Sequence, residues 1–389
     1  MRWEAFLAPV RRIEMRSQRL SVAAIFPAGT LAVEEALARQ PTAVLLSYPY
    51  YQKGEVFRYW PRATARIRRR LYSLALPSLA LQIVDLGDVY VPEEAPSTPS
   101  QALEEAVKAL LQAGHKVVVF GGGQEAALPL FRAVAAQEVP FTYTLLDRKL
   151  DLFDALSAQE APHRRYHQDL LLDEQVEVPF RGQVVGLAWH WVSPVEEEVL
   201  HTYLRVPYLR LSEVLTDPDE AEPFLRTAAF ISMDLGLLRG AEAPAVLDPE
   251  PEGLPIEIAA KLMRFAGMGY RSDVLHLANY FPPLDRDGRT AAAVALLLWY
   301  FLEGRINPEE DFPWPDRANL ERYEVSLGEV DVPSIVFYRH PRSGRWWMEV
   351  VPLSGKGPAR LVPCSRTAYE AALGGEVPAL WYLWQLTVP

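Results

Sequence analysis

Short apolar runs alternate with helical patterns over most of the chain. TAVLLSY (42–48), LQIVDLG (81–87), KVVVFGGG (116–123), PFTYTLLD (140–147), GQVVGLAWH (182–190), PYLRL (207–211), AAFISMDLG (228–236) and DVLHLANY (273–280) read as strands. ATARIRRRLYSLAL (63–76), SQALEEAVKALLQAG (100–114), EAALPLFRAVAAQ (125–137), PIEIAAKLMRFAGM (255–268) and GRTAAAVALLLWYFLEG (288–304) carry apolar residues at helical spacing. Ser100 is the expected N-cap of the helix that Gly114 ends, and Pro129 falls near a first turn, where its missing N–H is tolerated. Strands this uniformly apolar are buried on both faces. Their alternation with helices predicts an α/β fold of three layers, α/β/α, around a mostly parallel, doubly wound sheet.

The pattern changes near Pro313. YEVSLGEV, SIVFYRH and RWWMEVVPL alternate with a period of two, as antiparallel strands do. We therefore divide the chain into an α/β domain, 1–311, and a β-rich, aromatic extension, 312–389, packed on it. Most of the aromatics in SGRWW and ALWYLWQL are expected in a core. Several exposed together would mark a surface for a protein partner or for self-association.

The chain has 389 residues and a net charge of -11, which argues against general nucleic-acid binding. One cysteine, Cys364, excludes an internal disulfide framework and a cysteine-rich zinc site. AVALLLWYFL (293–302), the most apolar stretch, is far short of the ~20 residues of a membrane span, and the first residues contain no signal-like apolar run. These features lead us to expect a soluble cytoplasmic protein without a membrane span. Arg62, Arg66, Arg68, Arg69 and Arg70 form one strongly basic run, either a solvated helix face or a local anion or partner patch.

Chemistry in such a sheet sits at the carboxyl ends of its strands. Three of those ends carry polar signals: GGGQEA (121–126), DRKLD (147–151) and SMDLG (232–236). Asp147 and Asp151 look like metal ligands, yet Lys149 stands between them. Gly121-x-Gly123-x-x-Ala126, with Asp147 ending the next strand, also fits a dinucleotide-binding fingerprint. Against that reading, at least two βα units precede the glycines, whereas the fingerprint usually opens its domain.

In their order the three strand ends resemble the metal-ligand blocks of the ureohydrolase family (arginase, agmatinase and formimidoylglutamase), which read GGDH, DAHxD and SFDxDxxDP. The resemblance covers roughly residues 35–305, and SGRWWMEV and VPCS are similar to a divergent, formimidoylglutamase-like bacterial branch. It implies a two-manganese site whose bridging hydroxide attacks a guanidino or formimino carbon. Carried over by position, Asp147, Asp151 and Asp234 match ligands, while Gln124, Lys149 and Gly236 stand where the family has the other three. Gly122 and Gly123 would line the cleft. His163 and His167 lie where the family has a catalytic histidine, or are plain loop histidines. Glu257 is nearest to a substrate-binding glutamate, displaced by one position. Asn279 matches the acidic residue of an ENP-like strand end.

Three carboxylates hold at most one oxygen-loving ion, and an ammonium among them repels it. Lys149 then reads as a built-in counter-ion, because a residue alternating with Asp147 and Asp151 on one strand face points where they point; the plainer alternative is a side chain in solvent. The resemblance, with these departures, leads us to expect a non-hydrolytic binding or scaffolding protein that needs no cofactor and takes a small molecule or a protein partner. The alternative is a manganese-dependent hydrolase of C–N bonds in guanidino or formimino compounds.

Overall fold

The computed structural model describes residues 3–8, 26–27, 33–53, 56–60, 64–152, 165–204, 206–306, 317–328, 332–351 and 359–387. Eight parallel strands form the centre: β1 (Ala43–Ser47), β2 (Ile83–Val89), β3 (Val117–Phe120), β4 (Phe141–Leu146), β5 (Phe180–Leu187), β6 (Tyr208–Arg210), β7 (Phe230–Asp234) and β8 (Val274–Ala278). They lie in the order β2-β1-β3-β8-β7-β4-β5-β6, with Leu7–Ala8 antiparallel at the β2 edge and Phe26–Pro27 also paired to β2.

The period of two within these strands divides the core into two faces. Val44, Leu46, Val117 and Val119 pack against α2 (Pro99–Gln112) and α3 (Ala127–Ala135). Leu45, Val118 and Phe120 face the other way, toward α1 (Ala65–Ser73), α4 (Ile256–Met268) and α5 (Arg289–Gly304). This is the expected three-layer α/β fold. α4 and α5 touch backbone to backbone: a Cβ on Gly267 would come 2.1 Å from the Phe301 carbonyl oxygen. The cap of α2 differs from expectation. Thr98, not Ser100, accepts from Gln101 N, and Gln101 returns the bond to Thr98 N; Pro99 then opens the helix with φ already set.

The arginine run does not share one fate. Arg68 is buried, bonds both oxygens of Asp85 and also reaches Asp88, while Tyr72 and Thr64 complete the network. Arg66, Arg69 and Arg70 are exposed, and Arg62 lies outside the described residues.

The extension is an antiparallel sheet, β9 (Glu321–Ser326), β10 (Ser334–Arg339), β11 (Trp346–Val350) and β12 (Arg360–Cys364), in sequential order. It carries two helices that the β-rich reading lacked, α6 (Arg366–Leu373) and α7 (Ala379–Thr387). Trp346, Trp347, Trp381 and Trp384 are all buried, which leaves Tyr382 as the exposed aromatic of the last stretch. Buried charges join this sheet to the α/β body. Glu222 pairs with Arg226 at 3.2 Å and with Arg345 at 3.1 Å. The Arg226 guanidinium lies 4.6 Å from the centroid of the Trp347 ring and donates to the Trp346 carbonyl. No helix among the described residues is long and apolar enough to cross a membrane.

Trp347 therefore packs within the extension and also covers a buried cation. Trp347→Ala is expected to cost about 3–5 kcal/mol of unfolding free energy, read from urea denaturation of the full chain. An unchanged midpoint would refute this packing role.

Candidate functional site

Four adjacent strands, β3, β8, β7 and β4, end side by side. Consecutive strands β3 and β4 are separated in the sheet by β8 and β7, and such a gap opens a crevice at the carboxyl ends. The chain leaves β3 through Gly121 and Gly122 at φ 90° and 76°. A Cβ on Gly122 would come 2.7 Å from the Tyr48 carbonyl oxygen, and the Gly122 carbonyl accepts from Asn279 N at 2.8 Å. The glycines thus serve close approach of three backbone segments. The dinucleotide reading fails here. Glu125 folds its carboxylate over Gly123, where a Cβ would meet it at 2.0 Å, so a carboxylate of the chain sits where a pyrophosphate would approach.

Asp147 follows the end of β4 and is buried. Its carboxylate accepts from Gln124 Nε2 at 2.5 Å, Tyr166 Oη at 2.9 Å and Lys149 N at 3.0 Å. Burial raises its pKa, although those donors and the Arg148 charge pull the other way. Asp234 ends β7. It accepts from Asn279 Nδ2 at 2.8 and 3.1 Å and from Gly236 N. Burial, then the charge of Asp147, push its pKa up to about 7. Asn279 is held at φ 69° with its Oδ1 accepting from Leu247 N at 3.0 Å. Asp151, partly buried at φ 49°, has a pKa well above the carboxylate range through burial and through Asp147 and Asp234. No described residue donates a hydrogen bond to its carboxylate.

Lys149 does not stand on one strand face with the aspartates. β4 ends at Leu146, so residues 147–151 follow a turn and the alternation of a strand does not extend to them. The Lys149 ammonium lies 4.4 Å from the centroid of the Trp191 ring and its charge lowers the pKa of Asp151, while its backbone N–H lowers that of Asp147. The cation acting on Asp147 and Asp234 is the buried Arg148, whose Nη1 donates to the Gly236 carbonyl at 2.7 Å and whose Nη2 reaches the Asp248 carbonyl. Arg148 and Tyr166 were missed in the sequence. Arg148 stood in view beside Asp147, whereas nothing local marked Tyr166.

The other candidates separate. His167 is buried beneath the site, its Nδ1 on the Leu150 carbonyl at 3.1 Å and its Nε2 on Tyr143 Oη at 3.0 Å. Burial lowers its pKa to about 4, so it is a neutral core histidine and neither a cleft residue nor a solvated one. Glu257 is exposed on the first turn of α4, since its displacement by one position turns it outward. His163 lies outside the described residues.

The arginase family profile matches residues 58–303. The formimidoylglutamase of Nocardia farcinica (strain IFM 10152) is 30% identical over 227 residues, spanning 55% of this chain and 70% of that protein. A mitochondrial guanidino acid hydrolase of Homo sapiens is 26% identical over 234 residues, spanning 59% and 66%. Among solved structures, Trypanosoma cruzi formiminoglutamase with Mn2+2 superposes with a TM-score of 0.58 at 19% identity, covering 69% of this chain and 95% of that one. Formimidoylglutamase from Bacillus subtilis subsp. subtilis str. 168 superposes equally well, TM-score 0.58 at 18% identity, covering 69% and 88%.

That manganese overturns the expectation that no cofactor belongs to this site: manganese is the group the fold implies. The described donors, as arranged, do not fit a manganese pair. Gln124 turns its amide N–H toward Asp147, Lys149 brings a positive charge, and Gly236 brings no side chain. Among the described residues, no three His, Cys, Asp or Glu side chains converge to hold a metal. Two divalent ions need several anionic or imidazole donors.

The raised pKa of Asp234 sets a pH dependence. Between its ordinary 3.8 and about 7, the folded chain holds a proton that the unfolded chain has lost, so the folded state weakens as pH rises through that window. The denaturation midpoint is expected to rise when pH is lowered from about 8 to about 5, with a smaller rise in Asp234→Asn. Parallel curves for the two proteins would contradict the burial of an ionisable Asp234.

Proposed function

We propose, from the premise that this chain belongs to the arginase family, that its strand-end site takes a linear amidine, the formimino or guanidino group for which its relatives are named. The observation that carries this reading is Asp151, a carboxylate that receives no hydrogen bond from any described residue and stands within the field of Asp147 and Asp234. An amidinium is a flat cation with N–H donors on both arms, complementary to a carboxylate. The arriving cation would draw Asp151, whose pKa burial and its neighbours raise, into its ionised form and pair with it directly. Asp147 and Asp234, steadied by Gln124, Tyr166 and Asn279, would supply the surrounding negative potential.

The names of the relatives support hydrolysis of a C–N bond as the step that follows binding. A second reading, binding without turnover, has support of its own in Gln124, Lys149 and Gly236, which leave the described donor set short of a manganese pair.

One experiment addresses both readings. The full chain, purified after manganese supplementation, is titrated with formiminoglutamate, agmatine, arginine and a guanidino acid, while its melting temperature and the release of ammonia, urea or formamide are followed. At least one amidine is expected to raise the melting temperature saturably, and Asp151→Asn to weaken that binding by at least about tenfold. Product release removes the second reading. A saturable shift without product removes hydrolysis. Neither a shift nor product across the panel would sink the proposal.

A further inference from the structure

The exposed arginines of α1 lie in a groove. Arg66, Arg69 and Arg70, spaced i, i+3 and i+4, form one wall, and Arg286, just before α5, forms the other. The space between is about 310 Å³, roughly ten water volumes at ~30 Å³ each.

Two contrasts make this cluster unusual. Arg68, on the buried side of the same helix, is neutralised by Asp85 and Asp88. The groove arginines have no carboxylate partner among the described residues: Arg66 donates only to the Asp285 carbonyl. Asp287 lines the groove with them and Asp285 precedes Arg286, and both acids are already engaged. Asp285 accepts from Tyr280 Oη and from the N–H groups of Thr290 and Ala291. Asp287 accepts from Arg289 N and pairs with its guanidinium at 2.8 Å. Four arginines, with one engaged aspartate, thus line one space in a chain of net charge -11.

We propose that this groove binds a small phosphate-bearing molecule. Guanidinium groups bind phosphate oxygens in pairs of parallel hydrogen bonds, and groups from two walls can clasp a multivalent oxyanion from both sides. The charge of the whole chain selects for size. A long polyanion extends past the groove along a chain of net charge -11, whereas a small one fits within the positive region. The site is separate from the acidic crevice in charge and in ligand, and the proposal does not depend on amidine recognition. The two regions share one segment: Asn279, which holds Asp234, is followed by Tyr280, which holds Asp285, beside Arg66.

The probe is pyrophosphate, titrated calorimetrically into the full chain, with inorganic phosphate, citrate and a heparin fragment as comparisons. Expected are saturable binding that weakens with added salt, a preference for pyrophosphate over citrate, and an affinity loss of about tenfold or more in Arg69→Gln/Arg286→Gln. Both positions are exposed, and circular dichroism checks that the double variant is folded. Absence of saturable heat up to about 10 mM pyrophosphate, undiminished binding by the folded variant, tighter binding of citrate, or binding of heparin alone would each overturn the proposal.

Discussion

Three carboxylates brought out of water at neighbouring strand ends constrain everything around them. Burial and mutual repulsion both disfavour the charged form, and removing hydrogen-bond partners from such groups is costly. The surroundings answer two of them, Asp147 and Asp234, with donors from several separate elements. Gln124 comes from the turn after β3, Tyr166 from the helix after the second polar strand end, Asn279 from the position just past β8, and Gly236 contributes its backbone N–H. Arg148 adds a buried positive charge that is itself tied to two carbonyl oxygens. The crevice is thereby braced by side chains that cross it, and the order of the central strands determines which side chains can do so.

The fold was legible because its signals repeat. Eight apolar runs and five helical patterns coincide with strands and helices within a few residues, since burial on both faces leaves a parallel strand little choice of composition. The site was legible only as a set of positions. Strand ends marked where Asp147 and Asp234 would lie, but the path of the chain beyond a strand end depends on contacts distant in sequence. Lys149 shows the difference. Alternation would have aimed it with the aspartates had β4 continued, yet the strand stops at Leu146 and Trp191, some forty residues on, takes the ammonium. Glu257 and His167 make the same point from opposite directions, one turned to solvent by a single position of helix phase, the other drawn beneath the site by Tyr143 and Leu150.

The extension is part of the same constraint. Arg226 and Glu222 belong to the α/β body, while Arg345, Trp346 and Trp347 belong to the added sheet. Charges buried across such a boundary favour keeping both sides together, because separating them would leave an unpaired cation in an apolar setting. The conspicuous RWW stretch is therefore explained by an internal contact, and the helices α6 and α7 close the same small core.

Gly236 has a consequence for substitution. A Cβ at that position would come 2.8 Å from Asp234 Oδ1, the oxygen that accepts from both the Gly236 N–H and Asn279. Any side chain placed there must move an aspartate that is pinned from two sides. Residue 236 is therefore tied to a group it does not itself contain: its freedom to vary is set by how far the Asp234 carboxylate can yield while keeping Asn279.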